Sequence, residues 1–150
     1  MQDMAIEIFE QCRADIAEVE RFASVFSLSM DKKPSDGGWT ASQCLAHLAD
    51  AEISLALRLR MMLTSDGYKF SAWDEDAFAV IKEDRDPRIS IETFKSLRLG
   101  NIEILQSLSE KDLARTGARP NGEQITIIDY VARMSSHVRA HLEQGVRAAQ

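Results

Sequence analysis

Four stretches of the chain repeat apolar residues at three- and four-residue steps, the period of one face of an α-helix. The first covers about residues 3 to 28, with Ala5, Ile8, Phe9, Cys12, Ile16, Val19, Phe22, Ala23 and Phe26 on one side and Glu7, Glu10, Asp15 and Glu18 opposite. Ser29 to Gly38, with Pro34, Asp36 and two glycines, reads as a turn-rich connection. A second helix begins sharply, because Thr40-Ala41-Ser42-Gln43 is a capping box in which hydroxyl and amide satisfy each other's backbone groups. Trp39, just outside, is placed to staple onto the first turn at Cys44. This helix runs through His47, Ala51, Leu55, Arg58 and Met62 to about Thr64, with Met61 and Met62 as core filler.

Residues 65 to 88 form a connection unusually long for a compact domain, so a short helix (Glu75 to Lys82) or a functional loop is expected within it. A third helix opens at Ser90, a good N-cap with Glu92 in the first turn, and continues through Phe94, Leu97, Ile104 and Leu108. Gly100 in its interior costs about 1 kcal/mol against alanine, and close helix packing is the reason expected for it. A linker holding Gly117, Pro120, Asn121 and Gly122 leads to a fourth helix, capped at Thr126 with Asp129 in its first turn and running to about Ala149. No strand alternation and no internal repeat are visible. The expected fold is an all-α four-helix bundle with a long crossover between helices two and three, in one domain over residues 1–150.

Bulk composition narrows the function classes. With 24 acidic and 18 basic residues the net charge is −6, against the positive footprint that a nucleic-acid binder needs. The two cysteines, Cys12 and Cys44, are too few for a disulfide framework. The N-terminal apolar run carries acids, unlike a signal peptide, and no stretch approaches the length of a membrane span. A cytoplasmic protein without nucleic-acid or membrane partners is expected.

The chemistry is concentrated in three histidines. His137 and His141 lie four residues apart in the fourth helix, so both rings leave one face about 6 Å apart along the axis. His47 is the only other histidine. If the long crossover makes helices two and three parallel, helix four runs antiparallel to helix two. His47 then lies about 10 Å down its helix, and His141 and His137 about 12 and 18 Å down theirs. These depths allow one site for all three; equally, a pair at this spacing can stand on a solvated face, and Arg133, Arg139 and Glu143 show that part of helix four is wet.

The order of Trp39-Thr40 at a helix start, His47-Leu48-Ala49-Asp50-Ala51-Glu52 shortly after, and His137-x-x-x-His141 near the C-terminus resembles the DinB/YfiT family of metalloenzymes. The resemblance spans essentially the whole chain. It implies a divalent metal, most often zinc or nickel, held by His47, His137 and His141. Members of the family include thiol-dependent transferases and isomerases that use bacillithiol or mycothiol, and homodimers are common. The reading implied is a metal-dependent enzyme acting on a small molecule, with a low-molecular-weight thiol as co-substrate. A metal-dependent hydrolase and a non-catalytic metal- or small-molecule-binding stress protein stand beside it. Four further features are candidates for supporting parts. Asp50 could orient a ligand or form a salt bridge, Cys44 could face the ion or pack as a structural thiol, and Arg133 could meet an anionic group or solvent. Trp73-Asp74-Glu75-Asp76 could close over the site or simply start a helix.

Overall fold

The computed structural model describes residues 2–150. Four long helices carry the fold: α1 (Gln2–Val25), α2 (Ala41–Thr64), α4 (Pro87–Gln106) and α6 (Ile127–Ala149). Between them lie the short helices α3 (Glu75–Ala79) and α5 (Glu110–Leu113) and a two-stranded antiparallel hairpin, β1 (Thr116–Ala118) and β2 (Gln124–Thr126).

The capping residues set the helix starts. Thr40 Oγ1 accepts from the Gln43 amide at 3.1 Å while Gln43 Oε1 accepts from the Thr40 N–H at 2.9 Å, the reciprocal box expected for α2. Thr126 caps α6 by accepting from the Asp129 amide. The third long helix begins earlier than Ser90: Asp86 caps it, Pro87 occupies its first turn, and Ser90 is buried inside it. Asp-Pro supplies both a side-chain acceptor and a helical φ, so it overrides the later serine. The short helix stops at Ala79 rather than Lys82. The hairpin is the clearest departure from an all-helical chain. Its strands are three residues each, too short to show alternation, and Gly122 adopts φ +87° in the turn.

The packing order is unusual. α2 packs against α4 and α6, α1 packs against the same two, and α1 and α2 barely meet although they are consecutive. Pairs along each contact give the directions. Asp15–Arg98 and Glu20–Lys95 make α1 and α4 antiparallel, while Asp15–Ser135 and Phe22–Gly145 make α1 and α6 parallel. His47–His137 and Arg58–Tyr130 make α2 and α6 antiparallel, which leaves α2 and α4 parallel. A parallel pair requires the chain to travel back along the bundle, and residues 65–86 do so. They are fastened to α2 by Arg58 to Ser71 O (2.8 Å), Gln43 to Ala79 O (3.3 Å) and a bidentate Arg85–Asp50 pair (2.9 and 2.8 Å).

Two apolar clusters fill the bundle, one around Leu55, Leu59, Ile102 and Val131 and one around Val19, Leu45, Leu48 and Phe94. Each fully buried leucine or phenylalanine contributes about 1.5–3 kcal/mol. Polar side chains from all four long helices lie at mid-height. Asp15, placed by its neighbours on the wet side of α1, is fully buried. It accepts from Arg98 Nη1 (3.2 Å), Ser135 Oγ (2.6 Å) and Gln11 Nε2 (3.1 Å). Arg98 Nη2 lies 3.0 Å from Glu52, which also accepts from Asn101 Nδ2 at 3.0 Å. Two glycines have opposite meanings. A Cβ on Gly145 would stand 2.6 Å from the Phe22 ring, so α6 needs glycine to approach α1, whereas a Cβ on Gly100 would meet nothing within 4 Å. Close packing therefore does not explain Gly100.

Candidate metal centre

His47 comes from the second turn of α2, and His137 and His141 from successive turns of α6. Because α2 and α6 are antiparallel, the three rings meet at the same level. Nε2 of His47 and Nε2 of His137 are 3.0 Å apart, and one nitrogen from each of the three rings lies within 4.8 Å of the others. Three nitrogens around a tetrahedral zinc ion at about 2.05 Å would stand roughly 3.3 Å apart. The observed spacing brackets that value, so the donor set fits a divalent ion in size as well as kind.

The protonation states also fit. Burial, followed by the neighbouring charges of His141 and His137, pushes His47 down to about 3 from an ordinary value of 6.5. Burial and then His141 push His137 down to about 4. Both rings are neutral at physiological pH, the form that ligates metal. His141 Nδ1 lies 2.8 Å from Gln144 Oε1. With that carbonyl as acceptor, Nδ1 carries the proton and Nε2 presents its lone pair, the tautomer a metal ligand needs. Nδ1 of His47 and Nδ1 of His137 are buried and find no hydrogen-bond partner among the described residues.

Aromatic rings wall the site. Trp39 packs against His47 at 4.9 Å between centroids and stacks on His141 at 5.8 Å. Trp73 also stacks on the His47 ring, at 5.8 Å, and is braced by Phe78. Trp39 thus has a role at the site beyond a staple on the helix start. Trp73 is held there because the long connection folds back over α2. Its neighbours are not part of the site: Asp74 caps α3 through the Ala77 amide, and Glu75 and Asp76 lie in the first turn of that helix. A cleft of about 320 Å³ opens beside His137 and Trp73, between α2, α6 and the hairpin.

The remaining candidates go elsewhere. Asp50 is taken up by Arg85 rather than by a histidine. Cys44 is fully buried, its thiol pushed up to about 12 by burial, and it is not among the residues whose ligand atoms converge. Arg133 pairs with Glu123 at the lip of the cleft. Gln144 was not singled out from the sequence, although it lies three residues after His141, a spacing at which helical side chains meet.

A sequence model of the DinB superfamily matches residues 8–144. The chain belongs to the DinB superfamily. Among curated relatives it is 24% identical over 150 residues to the Bacillus subtilis protein named "Putative metal-dependent hydrolase YfiT", covering 95% of this chain and 83% of that one. It is 28% identical over 114 residues to "Putative metal-dependent hydrolase OB0782" of Oceanobacillus iheyensis, covering 75% of this chain and 66% of that protein's length. The solved structure of Bacillus subtilis YfiT, described as having an unusual four-helix bundle topology, superposes with a TM-score of 0.92 at 22% identity, covering 99% of this chain and 87% of that one. A mycothiol-dependent maleylpyruvate isomerase superposes with a TM-score of 0.73 at 16% identity, over 93% of this chain and 59% of the isomerase. At these identities the superpositions establish a common fold. Among the described residues, no helix is long and apolar enough to cross a membrane.

Proposed function

We propose that this DinB-superfamily protein is a divalent-metal-dependent enzyme acting on a small molecule, with zinc or nickel held by His47, His137 and His141. The observation that carries the reading is the convergence of three ring nitrogens within 4.8 Å, one of the rings, His137, lining a cleft. Three imidazole ligands leave coordination positions open, as catalytic rather than structural sites do. When bound, the ion supplies a Lewis acid that brings the ionisation of water or a thiol towards neutral pH.

The chain's own residues prepare that chemistry. His47 and His137 are kept unprotonated by burial, Gln144 fixes the tautomer of His141, and Trp39 and Trp73 shield the rings they pack against from water. Transfer involving a low-molecular-weight thiol is our first reading, supported by the shared fold with a mycothiol-dependent isomerase. Hydrolysis is the second, supported by the names of the relatives.

The two separate in one experiment. Zinc- or nickel-loaded protein is mixed with a fluorogenic electrophile and bacillithiol, mycothiol or glutathione, and in parallel with an ester and amide library. Conjugation abolished by chelator supports thiol transfer; ester or amide turnover abolished by chelator, with a flat thiol panel, supports hydrolysis. Neither activity in metal-loaded protein would overturn the enzymatic reading.

A further inference from the structure

Arg58 is set apart from the other sheltered cations of this protein. Its guanidinium lies over the Phe70 ring, 4.5 Å from the centroid, and donates from Nη1 to the Tyr130 hydroxyl (3.1 Å) and from Nη2 to the Ser71 carbonyl (2.8 Å). Both acceptors are neutral. The other arginines that are at least half-sheltered, Arg85, Arg98, Arg115 and Arg119, each pair with a carboxylate, whereas Arg58 has none among the described residues. A guanidinium has five N–H donors, so three remain uncommitted on a charge already partly withdrawn from water.

That charge lines the cleft beside the histidines. Arg58 and Tyr130 line one end and His137 and Trp73 the other, with Ala51, Ser54 and Met134 between them along α2 and α6. Tyr130 precedes His137 by two helical turns, so the two ends are separated by ~10 Å along α6. At the lip, Arg119 and Arg133 share the single carboxylate of Glu123, which leaves one positive charge uncompensated there. Glu75, which is exposed, is the one acid in the cleft lining.

We infer that this cleft holds the substrate, that the substrate carries a carboxylate about 10 Å from its reacting atom, and that Arg58 is the residue that reads that carboxylate. A lining that is apolar apart from Ser54 between the cation and His137 suits a mainly hydrocarbon spacer of about six to eight carbons. A planar guanidinium can meet a carboxylate with two parallel N–H bonds, and stacking on Phe70 pre-orients the fork. The placement of a reactive end at the histidines rests on the metal-dependent reading above; the carboxylate site does not.

Titration with hexanoate and with 1-hexanol, by calorimetry or chemical-shift mapping on metal-free and zinc-loaded protein, tests the carboxylate site directly. Hexanoate should bind both forms about tenfold or more tighter than hexanol, as a charge-assisted pair at a sheltered site predicts. Arg58→Met should erase the preference and leave zinc stoichiometry unchanged, and Arg58→Lys should restore part of it. In the zinc-loaded protein, ω-mercapto carboxylic acids of increasing length should show an affinity maximum at the chain that spans the cleft. Equal binding of hexanoate and hexanol by the unaltered protein would overturn the inference, as would an undiminished preference in folded Arg58→Met. Protein that takes up no zinc would instead overturn the metal-dependent reading, while the metal-free titration would still decide the role of Arg58.

Discussion

The bundle buries polar side chains in two places, and they are built on opposite principles. At mid-height, Asp15, Glu52, Arg98, Asn101 and Ser135 join all four long helices through charge-assisted hydrogen bonds, with both carboxylates facing the same guanidinium. Nearer the start of α2, three imidazoles converge with two Nδ1 atoms unpartnered and two rings held neutral against their ordinary tendency to protonate. Buried polar groups are normally satisfied, because an unmet hydrogen bond costs about 1–3 kcal/mol. The first cluster pairs its charges and ties the fold together, although Arg98 Nε finds no hydrogen-bond partner among the described residues. The second departs from that rule where a ligand set would stand. Polarity that fastens the helices is thus distinguished by paired opposite charges, whereas the imidazoles converge with no ion pair to a carboxylate among the described residues.

The largest effect should come from breaking the satisfied cluster. Arg98→Met leaves Asp15 and Glu52 buried without their cation, and the loss should be about 3–5 kcal/mol of folding stability in urea titrations. The same substitution should leave zinc binding by the folded fraction intact, because no histidine depends on Arg98 for a hydrogen bond. Equal damage to both properties would remove the distinction.

An acid titration probes the other cluster. Well above pH 6.5 His47 and His137 are neutral whether the chain is folded or not and contribute nothing to the pH dependence. As pH falls below 6.5 the unfolded chain takes up protons at His47 and His137, while the folded protein refuses them until about 4 for His137 and about 3 for His47. The metal-free protein should therefore lose stability across this interval, and His47→Gln should lose less than the unaltered chain. Parallel slopes for the two proteins in urea titrations from pH 7.5 to 4.5 would contradict the buried neutral state. The smallest effect expected is that of Gln144→Ala, about tenfold weaker zinc binding with folding unchanged, since the residue only orients His141.

Much of this organisation is legible in the residues themselves. The capping box at Thr40 to Gln43 fixes the start of α2, and the length of the 65–86 connection is what makes α2 and α4 parallel and sets His47 level with the HxxxH pair. Other features are hidden from a reading by periodicity. Asp15 sits among polar neighbours on α1, and only the approach of Arg98 from α4 explains its complete burial. The hairpin is too short to alternate, and Asp86-Pro87 outcompeted a serine that fits a cap equally well in isolation. Arg58 lies on the same helix as His47 but owes its significance to what it lacks, and a missing carboxylate becomes visible only in three dimensions.

The central claim is that three imidazoles from two antiparallel helices form one metal site. Elemental analysis of protein exposed to zinc or nickel and then freed of excess ion measures this directly. One divalent ion per chain is predicted, with His47→Ala, His137→Ala and His141→Ala each reducing it to a small fraction in folded protein. Undiminished metal in all three variants, or none in the unaltered protein, would contradict the account.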